Sequence, residues 1–149
     1  MRPILMLACA AALAAAPAAA APRRAAGLEV TQAWSRPAAA GMTGVGYMTL
    51  ANRGAAPVTV QAVETAAARR TTLHATTLEN GVASMSAMDA GVVVAAGQTV
   101  RFAPGGHHVM FMGLKQALKA GDRIPATLVL ANGARLKVEF EVRLAPPAP

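Results

Sequence analysis

Four side chains, His74, Met85, His108 and Met110, fall in the spacing His-x10-Met-x22-His-x-Met, in a chain of 149 residues with three histidines in all. A thioether is a soft, neutral donor and imidazole a borderline one, so two of each suit Cu(I) better than zinc or the hard, oxygen-seeking cations. A methionine taken alone is more often core filler than ligand, and a lone histidine is usually hydrogen-bonded or at the surface. The joint spacing is what singles out these four. Met42, Met48, Met88 and Met112 are left to packing, with Met88 and Met112 close enough in sequence to border the set.

These residues must be positioned by strands. His74 and Met85 lie on the two arms of a hairpin whose turn is LENG, 78–81, which sets them nearly opposite each other. His108 and Met110 are two apart on one run and share a face. By the same alternation HHVMFMG splits into His107, Val109 and Phe111 on one side and His108, Met110 and Met112 on the other. Val109 and Phe111 are the apolar pair and are predicted to face the core, with His108 and Met110 outward and His107 a neighbour at the strand entrance after the PGG turn. Further β-type runs occupy 28–34, 44–52, 57–63, 71–77, 81–88, 91–96, 98–102, 126–131 and 135–142, separated by NRG, ENG, AGQ, PGG and ANG. Short strands at this interval predict one all-β domain, an antiparallel sandwich or small barrel. Helix is confined to one or two turns in LKQALKAGD, 114–122.

The first 21 residues combine Arg2, an uncharged Ala/Leu run and small residues around Ala18–Ala21, the pattern of a cleaved secretory signal peptide. Pro17 and the short apolar run argue against a membrane span. Cys9, the one cysteine, lies inside this leader, in MLAC, which faintly resembles a lipobox. Cleavage near Ala21 removes it, and with it disulfides, thiolate catalysis and cysteine metal sites. Residues 22–27 read as a flexible segment, 28–143 as the domain and 144–149, ending in APPAP, as a disordered tail. The net charge of +7 is scattered, and one Trp, one Tyr and three Phe offer little to stack on bases. That disfavours nucleic acid and fits an acidic protein partner.

The segment from LHATTLENGVASMSAM to PGGHHVMFMGLKQALKAGDRIPATLVLANG resembles the periplasmic copper chaperones of the PCuAC type, whose motif is His-(Met)-x10-Met-x21-His-x-Met. The extra residue in the second gap is read as an insertion in SAMDAGVV, 86–93, since only His108 has a methionine two residues on. The resemblance implies a cupredoxin-like β-sandwich or barrel and one Cu(I) held by His74, Met85, His108 and Met110. It also implies a monomer that delivers copper to an acceptor protein, a cytochrome c oxidase subunit or another copper chaperone. Some members carry a His- and Met-rich C-terminal extension, whereas this chain ends in APPAP, so no second site is expected. An enzyme is disfavoured because no Ser/His/Asp set or carboxylate pair is positioned for catalysis, and a blue-copper electron carrier because it requires a cysteine thiolate. The remaining alternative is a metal-free exported β-sandwich interaction or assembly module.

Overall fold

In RLKVEFEV every second residue is apolar, and Leu136, Val138, Phe140 and Val142 are buried while the residues between them reach solvent. That half-wet pattern recurs through a computed structural model that describes residues 23–148. Eleven strands run in order: β1 (Arg23–Ala25), β2 (Leu28–Ser35), β3 (Gly44–Asn52), β4 (Val58–Glu64), β5 (Ala68–Glu79), β6 (Val82–Ala87), β7 (Val92–Val94), β8 (Thr99–Arg101), β9 (His107–Leu114), β10 (Arg123–Leu130) and β11 (Arg135–Val142). They form one sheet in the order β6-β5-β9-β3-β2-β11-β10-β4-β7, with β1 on β2 and β8 on β3. All pairs are antiparallel except β11 with β2. The protein is all-β with the cupredoxin-like architecture.

The sheet curls so that its halves face each other across the core. Phe111 of β9 meets Phe140 of β11 edge-on, their ring centroids 5.4 Å apart. Gly46 makes this contact possible, because a Cβ there would lie 2.8 Å from the Phe111 ring and 3.1 Å from Phe140. Around that pair Leu28, Met48, Leu50, Val60, Ile124, Leu128 and Leu130 are almost wholly buried, each stabilising the fold by about 1.5–3 kcal/mol. Asn52 ties the loops at one end: its amide nitrogen donates to the carbonyls of Ala56 and Val94, and its Oδ1 accepts from the Gly54 N–H.

LKQALKAGD is not helical. It is a bend pinned by mutual backbone hydrogen bonds between Ala38 and Leu118, with Leu118 buried, so anchoring to the neighbouring loop displaces the local helical preference. β1, which has no apolar alternation, is formed by the turn at Ala26 and Gly27, both at positive φ (50° and 81°), the hairpin geometry that matches strand twist. Near the C-terminus, the Gln32 side-chain amide donates to the Ala148 carbonyl. Residues 1–22, including the leader and Cys9, lie outside the described residues. Among the described residues no helix is long and apolar enough to cross a membrane.

Candidate metal centre

β5 is the strand on which the candidate ligands converge, because it lies between β6 and β9. His74 pairs with His108 of β9 on one side and with Ala87 of β6 on the other. Met85 is opposite Thr76, and Met110 is opposite Thr72. Cross-strand partners share a face, as do residues two apart, so all four side chains stand on the same side of the sheet. Met85 is therefore not opposite His74 as the hairpin reading expected. It is one diagonal step away, because the turn at Asn80 and Gly81 sets the register two residues off that estimate; diagonal neighbours lie about 7–8 Å apart, within reach of long side chains. The His74 and His108 rings are 5.8 Å apart between centroids, tilted by 49°.

The hydrogen bonding orients one of these rings. His108 Nδ1 is 3.0 Å from the Gly106 carbonyl. A carbonyl only accepts, so Nδ1 carries the proton and Nε2 is left with its lone pair. That Nε2 is buried and has no partner, and the same holds for Nδ1 of His74. Buried polar atoms are nearly always hydrogen-bonded; Nδ1 of His107, on the core side of β9, is also buried without a partner, so what sets the His74 and His108 nitrogens apart is that their rings neighbour each other on one face of adjacent strands, where an ion could bind both. The Gly106 carbonyl also accepts from the Thr76 N–H of β5. It sits in a turn closed by the Gly106 N–H to Ala103 carbonyl bond, with Pro104 second and Gly105, at φ 82°, third, the sequence chemistry of a type II turn.

The face assignment along β9 holds: Val109 and Phe111 are fully buried in the core. His108, although on the opposite side, is only 5 % exposed, more enclosed than an outward position implies. Exposure then rises along the same face through half-buried Met110 to Met112 at 36 %. His107 is half-buried on the core side, its ring 5.6 Å from Phe102. Met88 packs against the core and Met48 is part of it, whereas Met42 is exposed. The β5–β6 arm projects beyond the core. Every residue of β6 is exposed, and Leu78 and Met85 stand open at 73 % and 55 %. Among the described residues no three His, Cys, Asp or Glu side chains cluster to hold a metal, so donors for an ion beyond the imidazole pair are the thioethers. The pairing of β5 with β9, which sets the two histidines face to face, joins segments over 30 residues apart and has no local signal in the sequence.

Against known proteins, the model of the family described as "Putative lipoprotein LpqE-like" matches residues 28–142. The chain belongs to the LpqE-like family. It is 36 % identical over 121 residues to the "Putative lipoprotein Lxx21020" of Leifsonia xyli subsp. xyli, covering 81 % of this chain and 72 % of that one. Among solved structures it resembles the Cu(I) form of DR1885 from Deinococcus radiodurans, at 32 % identity and a TM-score of 0.60, over 76 % of this chain and 78 % of that one. The apo form of the same protein is 30 % identical over 96 % of each chain, with a TM-score of 0.57. The copper-bound PCuAC domain from PmoF2, 19 % identical, aligns over 85 % of this chain and all of that domain with a TM-score of 0.70, a likeness of fold. The LpqE-like chain thus has the PCuAC-type architecture.

Proposed function

We propose that this LpqE-like protein is an exported carrier of Cu(I), which holds one ion through His74, His108, Met85 and Met110 and hands it to an acceptor such as the copper centre of cytochrome c oxidase. The observation that carries the reading is the pair of buried, unpartnered imidazole nitrogens, Nδ1 of His74 and Nε2 of His108, on adjacent strands. With metal–nitrogen bonds of about 2 Å, two imidazoles sharing an ion bring their ring centres roughly 5–6 Å apart, and the observed separation is 5.8 Å. Two thioethers on the same face complete a soft, neutral shell that favours Cu(I) over Cu(II). The Cu(I) form of DR1885 supports the choice of metal. A carrier rather than an enzyme or electron-transfer centre fits this shell, which has no thiolate and no nucleophile–base pair.

Export fits both the leader and the family's description as lipoproteins. Intact mass of the mature protein distinguishes cleavage near Ala21 from retention of a lipid on Cys9. The function is tested by adding one equivalent of Cu(I) in the presence of a competing chromophoric chelator. Stoichiometric retention by the wild type, lost in His74→Ala and His108→Ala, and a Cu(II) affinity far below that for Cu(I), are expected. Failure to retain Cu(I), or equal affinity for Cu(II), overturns the reading in favour of a metal-free interaction module.

A further inference from the structure

The sheet face that carries the four candidate ligands also carries three arginines. Arg70 of β5 is directly opposite Met112. Arg101 of β8 is opposite Thr49, which shares its face of β3 with Val45, the partner of Met110. Arg36 stands with its guanidinium 6.0 Å from the ring centre of Trp34, whose partner on that same face is Tyr47. All three arginines are exposed, and among the described residues none is in an ion pair. Six other arginines, Arg23, Arg24, Arg53, Arg123, Arg135 and Arg143, each lie within 4 Å of a carboxylate; Arg69, exposed on the opposite face of β5, is the other described arginine outside the ion pairs. On this face beyond the site, Glu29 of β2, opposite Ala51, is held by Arg24 and Arg53, and Glu141 of β11, the partner of Trp34, lies 3.9 Å from Arg143. Asp89 lines a cleft with Arg70 but does not pair with it.

Beside these arginines, toward the β6 edge of the sheet, the same face is apolar, with Leu78, Met85 and Met112 exposed. An apolar patch bordered by charge has the composition of a protein-docking surface, and cations without internal partners remain available to an outside one. We propose that this face is where the copper acceptor docks, and that the acceptor meets it with carboxylates arranged around a soft thiolate or thioether ligand. The inference rests on the Cu(I) reading and adds to it the chemistry of the partner. Transfer is then ligand exchange with no change of oxidation state. An incoming sulfur bonds to the ion as the exposed Met85 thioether leaves, and the enclosed His108 is released last.

The test uses the full mature chain loaded with Cu(I) and two synthetic peptides that share one Cys-x-x-Cys pair, flanked by aspartates in one and lysines in the other. Transfer is followed by stopped flow at several ionic strengths. The Asp peptide should take copper about tenfold faster or more at low salt, as expected for steered encounter, and the advantage should shrink as salt screens it. R36E/R70E/R101E should abolish the preference while Cu(I) affinity stays within a few-fold; R36Q/R70Q/R101Q does the same more mildly should the reversal disturb folding. R23E/R123E/R135E, with the same change in net charge among arginines that lie by Glu139 and Glu64, should keep the preference. Equal rates for the two peptides, or equal effects of the two charge-reversed triples, overturn the proposal. Failure of the wild type to retain Cu(I) before any peptide is added overturns the copper reading instead, so the two failures are distinguishable.

Discussion

Replacing His108 by leucine should leave the metal-free protein at least as stable as the wild type while removing its hold on Cu(I). The imidazole is 5 % exposed and its Nε2 is buried without a partner, a deficit that costs about 1–3 kcal/mol. Leucine is close in volume, and a swap that conserves volume perturbs a packed site by less than about 1.5 kcal/mol. The substitution loses the Nδ1–H bond to Gly106, with a net contribution of about 0.5–1.5 kcal/mol, but that carbonyl keeps the Thr76 N–H. At mid-range values the relieved deficit of about 2 kcal/mol exceeds the lost hydrogen bond of about 1 kcal/mol, and after a packing cost of up to about 1 kcal/mol the balance is a gain of roughly 0–1 kcal/mol, read as an increase of up to about 5 °C in Tm at about 3–5 °C per kcal/mol for a domain of this size. Copper should invert the order. At a free Cu(I) concentration a hundred times Kd the wild type gains about 2.7 kcal/mol and a variant that cannot bind gains nothing. Urea unfolding of both proteins, once with a strong chelator and once at buffered Cu(I), measures the crossing. A metal-free variant destabilised by more than about 2 kcal/mol would show that the ring is a packing element whose orphaned nitrogen is no liability. A variant still stabilised by Cu(I) would remove His108 from the site.

Gly46→Ala should cost about 1–3 kcal/mol by overpacking, since its Cβ would lie 2.8 Å from the Phe111 ring; an unchanged denaturation midpoint would mean that the Phe111–Phe140 contact yields freely. Because an imidazole nitrogen must be unprotonated to bind while thioethers do not titrate, Cu(I) affinity should weaken from pH 7 to 5, and a flat chelator-competition profile would exclude histidine from the shell. Arg135 holds the Glu64 carboxyl below its ordinary value of 4.5 through a hydrogen bond and charge attraction. The small stabilisation from that pair is present at neutral pH and is lost as pH falls through the lowered Glu64 value. Arg135→Ala should therefore return the NMR-detected Glu64 titration to its ordinary position, with a stability difference that disappears in acid.

Strands whose two faces meet different surroundings were legible. RLKVEFEV occupies the predicted residues as β11 because alternation there reports burial directly; HHVMFMGL and GVGYMTLAN also form β9 and β3 at the predicted residues, although β3 is buried on both faces and its bounds follow from the turn residues around it rather than from alternation. The Asn80–Gly81 turn was readable as well, since both residues sit at positive φ (51° and 79°), the conformation those residue types tolerate. β5 extends to Glu79 beyond the predicted 71–77 because its far end runs into the projecting arm, where no core face disciplines the pattern. At the site, the common face of His108 and Met110 follows from local parity. The diagonal offset of Met85, the opposition of His74 and His108, and the burial of His108 depend on register across separate strands and on the loop that encloses the site, neither of which a single segment encodes.

The group that sets the tautomer of His108 is the backbone carbonyl of Gly106, held in place by a turn and by the neighbouring strand. An alanine scan of the surroundings would pass over it, because no side-chain truncation removes a main-chain oxygen. The orientation of this ligand is thereby insulated from drift in the residues around it and exposed to a narrower set of changes. Those are the ones that alter the path of the chain itself: loss of the left-handed residue Gly105, an inserted or deleted residue in the 103–106 turn, or a proline at position 76. For anyone grafting the site onto another β-scaffold, the part to be transplanted is the loop geometry as much as the four side chains.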